Sequence, residues 1–184
     1  NKATQGGLIK SFNTVADAST KPIILYNVPS RTGCNITPET CAVLAEHESI
    51  VAIKEASGNI SQIAKIAQLC GEKIDIYSGN DDQIIPLLSL GGKGVISVLS
   101  NLLPSETSKM CKLYFEGKVA EAAKMQCDYF SLINALFCEV NPIPVKAAMS
   151  LMGYCENYLR LPLTPMEDDH FAKLKAIMEQ HKII

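Results

Sequence analysis

An α/β fold built on a parallel sheet is predicted by three features of the chain. Four short apolar runs rich in β-branched residues recur along it, helix-length segments separate them, and a late region carries helical patterning with no strands between. The first helical stretch covers Gly7–Ala18. The strand candidates are 22–26, 50–54, 74–78 and 93–98, each short enough for a covered strand and too short for a buried helix. Between the last two, Asp81 and Asp82 are expected to cap a helix over Gln83–Leu90, because acidic groups favour the positive end of the helix dipole. Gly91-Gly92-Lys93-Gly94 then reads as a helix C-cap and turn; it lacks the spacing and the following Ser or Thr of a phosphate-binding loop. From about Lys118 the expected elements are helices at 118–137, 142–153 and 166–181, with Asn141-Pro142-Ile143-Pro144 marking the break between the first two. Two domains follow from this reading, 1–117 and 118–184.

The residue that points to chemistry is Lys54, which closes the run Ile50-Val51-Ala52-Ile53. Side chains at the C-terminal ends of parallel strands line the rim where α/β enzymes place their active sites. Burial disfavours an ammonium, so a lysine there tends toward the neutral amine that attacks a ketone to form a Schiff base. One βα unit upstream, Pro22-Ile23-Ile24-Leu25 ends in Tyr26, 28 positions before Lys54. That spacing suits a strand, a crossover helix and their loops, and sets Tyr26 and Lys54 on neighbouring strands at one rim. A phenol beside an amine can carry the protons of imine formation, and Arg31 offers a planar fork for a carboxylate.

Tyr26-Asn27-Val28-Pro29-Ser30-Arg31-Thr32-Gly33 and Ile53-Lys54-Glu55-Ala56-Ser57-Gly58 together resemble the dihydrodipicolinate synthases. Tyr77-Ser78-Gly79-Asn80-Asp81-Asp82, Gly94-Val95-Ile96-Ser97-Val98, Asn141-Pro142-Ile143-Pro144-Val145-Lys146 and Arg160-Leu161-Pro162-Leu163-Thr164-Pro165 continue the resemblance in order. It implies a (β/α)8 barrel followed by a C-terminal helical domain, and condensation of pyruvate with L-aspartate 4-semialdehyde in lysine biosynthesis. On that reading Lys54 is the imine-forming nucleophile and Tyr26 a proton-relay member. Arg31 binds the carboxylate of the aldehyde, while Gly79 and Ile96 shape the pyruvate pocket.

A barrel of this type takes about 250 residues, and four strand candidates are half of the eight it needs. The opening residues, Asn1–Leu8, resemble the segment after the family's fourth strand. The resemblance therefore implies strands five to eight in residues 1–117, followed by the helical domain in 118–184. A threonine pair and a further tyrosine of the family's relay would then lie in an absent half, with turnover impaired unless that half is supplied. The resemblance also implies a homotetramer.

Other readings share parts of this pattern. An N-acetylneuraminate or keto-deoxy-sugar aldolase would keep the Tyr and Lys motifs, but its polyhydroxylated substrate calls for a hydroxyl- and amide-rich loop where Arg31-Thr32-Gly33 stands. A non-catalytic half-barrel assembly module is the alternative outside the enzymes.

No cofactor is expected, since the protonated imine is itself the electron sink. Nor is a metal, because His47, His170 and His181 are not spaced as ligands. The seven cysteines, an odd count without a CxxC pair, point to free, mostly core thiols in a reducing, cytoplasmic setting. A formal charge of −2 provides no basic face for nucleic acid. The apolar stretch 84–103 is interrupted by Pro86, Gly91, Gly92 and Lys93, which argues against a membrane span.

Overall fold

The computed structural model describes residues 2–184, which divide into two compact units, the first running to Ile96 and the second covering Ser97–Ile184. In the first, α1 (Gln5–Ala18) starts where the Thr4 side chain accepts from the Gly7 N–H. The strands are β1 (Ile23–Asn27), β2 (Ile50–Glu55), β3 (Asp75–Ser78) and β4 (Gly94–Val95), all parallel and in the order β1-β2-β3-β4. Their connections carry α2 (Pro29–Thr32), α3 (Pro38–Leu44), α4 (Ile60–Cys70) and α5 (Ile84–Leu88). Thr37 caps α3 and Asn59 caps α4, each accepting a backbone N–H three residues on.

Alternation along β1 and β2 decides which side chains meet the helices. Leu25 and Ile53, paired in register, are buried with Ile63, Ile66, Cys41 and Leu44 in one apolar core. On the other face of β1, Ile24 and Tyr26 are 49% and 42% exposed, so that face of the sheet is open.

The expectation of barrel strands five to eight is corrected here. Closing a parallel barrel requires about eight tilted strands with a fixed stagger. The described residues instead form an open sheet of four, with β1 and β4 as its edges. β4 is also shorter than the expected 93–98. After Val95 the Ile96 N–H still reaches the Ser78 carbonyl at 2.8 Å, and the chain then turns into a 3-10 segment at Leu99–Asn101. Asp81–Gln83 likewise forms a 3-10 turn ahead of α5, with Asp81 buried.

The second unit is helical: α6 (Pro104–Phe115), α7 (Val119–Asp128), α8 (Phe130–Ala135), α9 (Ile143–Leu151) and α10 (Asp168–Gln180). The helix expected over 118–137 is two helices that break at Tyr129, which is both the C-cap of α7 and the N-cap of α8. Its core gathers Leu132, Ile133, Leu136, Ala147, Leu174 and Met178. Among the described residues no helix is long and apolar enough to cross a membrane.

Candidate active site

The C-terminal ends of β1 and β2 bring the predicted pair together. Tyr26 and Lys54 are register partners, and Lys54 is in turn paired with Tyr77 on β3. The Lys54 Nζ sits 4.3 Å from the centre of the Tyr26 ring, within cation–π range. Such a contact favours the ammonium, yet the net shift of Lys54 is downward from the ordinary lysine value. Burial is the largest cause and the Arg31 charge the second; the Asp81 carboxylate opposes both.

Arg31 lies on α2, a single helical turn where sequence reading expected loop. Pro29 begins it with a preset φ, and Gly33 ends it at φ 63°, in the left-handed region, its N–H donating to the Pro29 carbonyl at 2.9 Å. Gly79 follows β3, where its N–H donates to the Glu55 carbonyl at 2.8 Å. A Cβ on Gly79 would lie 2.7 Å from the Ala56 Cβ and 3.0 Å from the Lys54 Cε, so only glycine lets this backbone pass against the lysine stem. Ile96 stands at the same rim beyond β4, 39% exposed.

Beneath this rim is a polar network that the motifs alone did not single out. Asn27 and Glu55 follow Tyr26 and Lys54 directly, so alternation turns them to the opposite face, where both are buried. The Asn27 Nδ2 donates to the Glu55 Oε2 at 2.9 Å and to the Asn35 Oδ1 at 2.9 Å. The Ser57 N–H donates to the Glu55 Oε1 at 2.7 Å, and Gln62 Nε2 approaches Oε2 at 3.4 Å. Asn27 Oδ1 accepts from the Ile36 N–H at 2.9 Å, and Asn35 and Gln62 exchange bonds of 2.8 and 3.1 Å. Glu55 thus joins both strand ends to α4 and, through Asn27, to the segment at Asn35 and Ile36 that follows α2. The available signal was a glutamate and an asparagine at the ends of apolar strands, where a buried polar group requires partners.

Asp81 is the second residue whose role the sequence did not reveal. Read there as a helix cap, it is 1% exposed and its charge acts on Lys54. Arg31 also acts on Lys54 directly, so its removal cannot leave the amine untouched. Arg31→Ala is expected to raise the Lys54 pKa, because a nearby cation that disfavours the ammonium is lost. The pH profile of Lys54 labelling by an amine-selective reagent, read by peptide mapping, should move to higher pH, with slower labelling near neutrality; an unmoved profile would remove Arg31 from the field at Lys54.

The model of the dihydrodipicolinate synthetase family matches residues 1–181. The 4-hydroxy-tetrahydrodipicolinate synthases of Clostridium perfringens and Citrifermentans bemidjiense are 55% and 48% identical, each over all of this chain and 63% of its own length. Among solved structures, the dihydrodipicolinate synthase of Thermotoga maritima superposes with a TM-score of 0.97 at 40% identity, over all of this chain and 64% of its own. The chloride-inhibited enzyme of Acinetobacter baumannii complexed with pyruvate gives 0.96 at 38% identity, covering 63% of that chain. A monomeric dihydrodipicolinate synthase variant gives 0.97 at 40% identity, again over 63% of its length. The chain thus spans about 63% of the length of the relatives it matches. With the open four-stranded sheet, that share withdraws the placement as a C-terminal half-barrel; the strands are counted only in this chain's own order. With identity above one half over the whole chain and a family match over residues 1–181, this chain belongs to the dihydrodipicolinate synthetase family.

Proposed function

We propose that this chain carries the Schiff-base centre of a 4-hydroxy-tetrahydrodipicolinate synthase, condensing pyruvate with L-aspartate 4-semialdehyde through an imine on Lys54. The observation that supports this most is the desolvated Lys54 amine packed over Tyr26 at the strand ends, beside Arg31 and Gly79. The neutral amine adds to the ketone carbon of pyruvate, and the carbinolamine loses water to give the protonated imine. Loss of a proton from the pyruvate methyl gives the enamine, which attacks the aldehyde carbon. The amine of the condensed chain then displaces Lys54 as the ring closes, returning the free lysine.

Tyr26 serves as the proton carrier in these steps. Arg31 pairs with the carboxylate of the incoming aldehyde, an interaction its planar fork suits better than it suits a neutral sugar. Gly79 admits the small ketoacid close to the lysine, and Ile96 forms part of the wall. Homo-oligomerisation, as a tetramer, and a cytoplasmic location belong to the same proposal.

Pyruvate consumption by this chain, followed with L-aspartate 4-semialdehyde and separately with a neutral sugar aldehyde, tests the substrate assignment. Consumption with the acidic aldehyde alone is expected; preference for the sugar aldehyde would instead establish an aldolase of the N-acetylneuraminate or keto-deoxy-sugar type.

A further inference from the structure

Two thiols outside this chemistry face each other between α3 and α4. Cys41 lies in the middle of α3 and Cys70 is the last residue of α4; both are free, 0% and 1% exposed, with their Sγ atoms 3.7 Å apart. The expectation of mostly core thiols holds for these two alone, since Cys127, Cys138 and Cys155 are exposed and Cys34 and Cys111 half-buried. We propose that Cys41 and Cys70 form a two-electron redox site that takes hydrogen peroxide and closes to a disulfide, tying α3 to α4.

Geometry carries the proposal first. A disulfide needs an S–S separation of about 2.05 Å, so closure requires the sulfurs to approach by about 1.7 Å, within reach of side-chain rotation and a small helix shift. Charge then assigns the roles. Hydrogen bonding with Cys41 pulls the Cys70 thiol down from its ordinary value and the Lys73 cation adds to this, while burial and Glu46 oppose. Cys41 is pushed up by the same hydrogen bond, by burial, and by the charges of Cys70 and Glu55. The Lys73 cation, together with the place of Cys70 at the end of α4 between the cleft-lining Ala67 and Gly71, makes Cys70 the sulfur that meets the peroxide first, and Cys41 resolves.

Access comes from the end of α4. Ala67, Gly71 and Glu72 line a cleft of about 540 Å³ that continues past Ile74 and Asp75 to Lys93, at the strand ends opposite Lys54. Opening of the last helical turn, which Gly71 ends at φ 57°, exposes Cys70 to this cleft.

The Cys70 thiolate attacks one peroxide oxygen, the O–O bond breaks, and the leaving hydroxide takes a proton to become water. Cys41 attacks the resulting sulfenic sulfur and expels a second water, so two thiols and one peroxide give one disulfide and two waters. The closed loop contains β2 with Lys54 and Glu55, and ties α3 to α4, whose first turn holds Gln62 near Glu55.

The test is a hydrogen peroxide titration of the native chain, with free thiols alkylated in denaturant and tryptic peptides mapped. The expected product joins peptides 32–54 and 66–73, about 2 Da lighter than their sum, and separates on reduction with dithiothreitol. Because 32–54 also holds Cys34, Cys34→Ser should retain the link, whereas Cys70→Ser should abolish it. Recovery of Cys41 and Cys70 as alkylated thiols after the exposed cysteines have oxidised would overturn the proposal. So would a link lost in Cys34→Ser, or both sulfurs ending as sulfinic acids.

Discussion

Replacing Lys54 by alanine is expected to abolish pyruvate-adduct formation, with turnover reduced on the order of 10³-fold or more, because the nucleophile is removed rather than weakened. Lys54→Arg should fail equally, since a guanidinium keeps the positive charge but does not become a neutral nucleophile at accessible pH. The pair of variants separates nucleophilic from electrostatic roles: activity retained in Lys54→Arg would make Lys54 a charge and nothing more. Neither change should unfold the protein. The Lys54 ammonium is disfavoured by its surroundings, so removing it takes away an unfavourable charge beside Arg31. A large loss of stability in Lys54→Ala would therefore count against this description of the rim.

The second large effect is on stability, at Glu55. Glu55→Ala would strip the acceptor from the half-buried Ser57 N–H and from the buried Asn27 amide, and from Gln62 at longer range, leaving Asn35 Oδ1 as the remaining acceptor of both amides. Each buried donor left without its acceptor costs about 1–3 kcal/mol. Urea unfolding should show that loss as a lower midpoint. Glu55→Gln keeps the shape and one acceptor oxygen and should lose less, though its amide faces donors. If Glu55→Ala unfolded at the wild-type midpoint, the network would be without consequence for the fold. The same variants bear on the site, because Glu55 adjoins Lys54 in the chain and its partners hold the segment that follows α2 through Asn27 and Ile36.

The elements most legible in sequence were those whose local pattern and tertiary setting agree. β1, β2 and β3 are apolar runs that end in polar residues, and Tyr26 opposite Lys54 followed from strand and crossover lengths alone. The fold class was misjudged where resemblance extended the count: four strands were assigned to the wall of a barrel, and the described residues form an open four-stranded sheet. The break at Tyr129 carries neither proline nor glycine, so periodicity ran across it. α2 is hard to see in the sequence because proline and glycine also punctuate loops, although a proline start and a glycine end suit a single helical turn.

In the site, the placing of Tyr26 beside Lys54 is legible in the sequence, and the polar groups behind the pair are not. Glu55 and Asn27 bear no motif of their own, and a hydrogen-bond network formed with Asn35 and Gln62 joins positions that only the fold brings together. Asp81 was assigned to capping because its neighbours begin a helical segment, while its burial and its field at Lys54 depend on the β2–β3 pairing.

The central claim is that Lys54 is a desolvated amine that forms the pyruvate imine. It is tested most directly by trapping with borohydride across a range of pH and locating the adduct by peptide mapping. A reduced pyruvate adduct on Lys54 is expected, with a rate that rises through an inflection below that of an ordinary lysine. An adduct spread over surface lysines, or one that appears only at the ordinary lysine pKa, would contradict the claim.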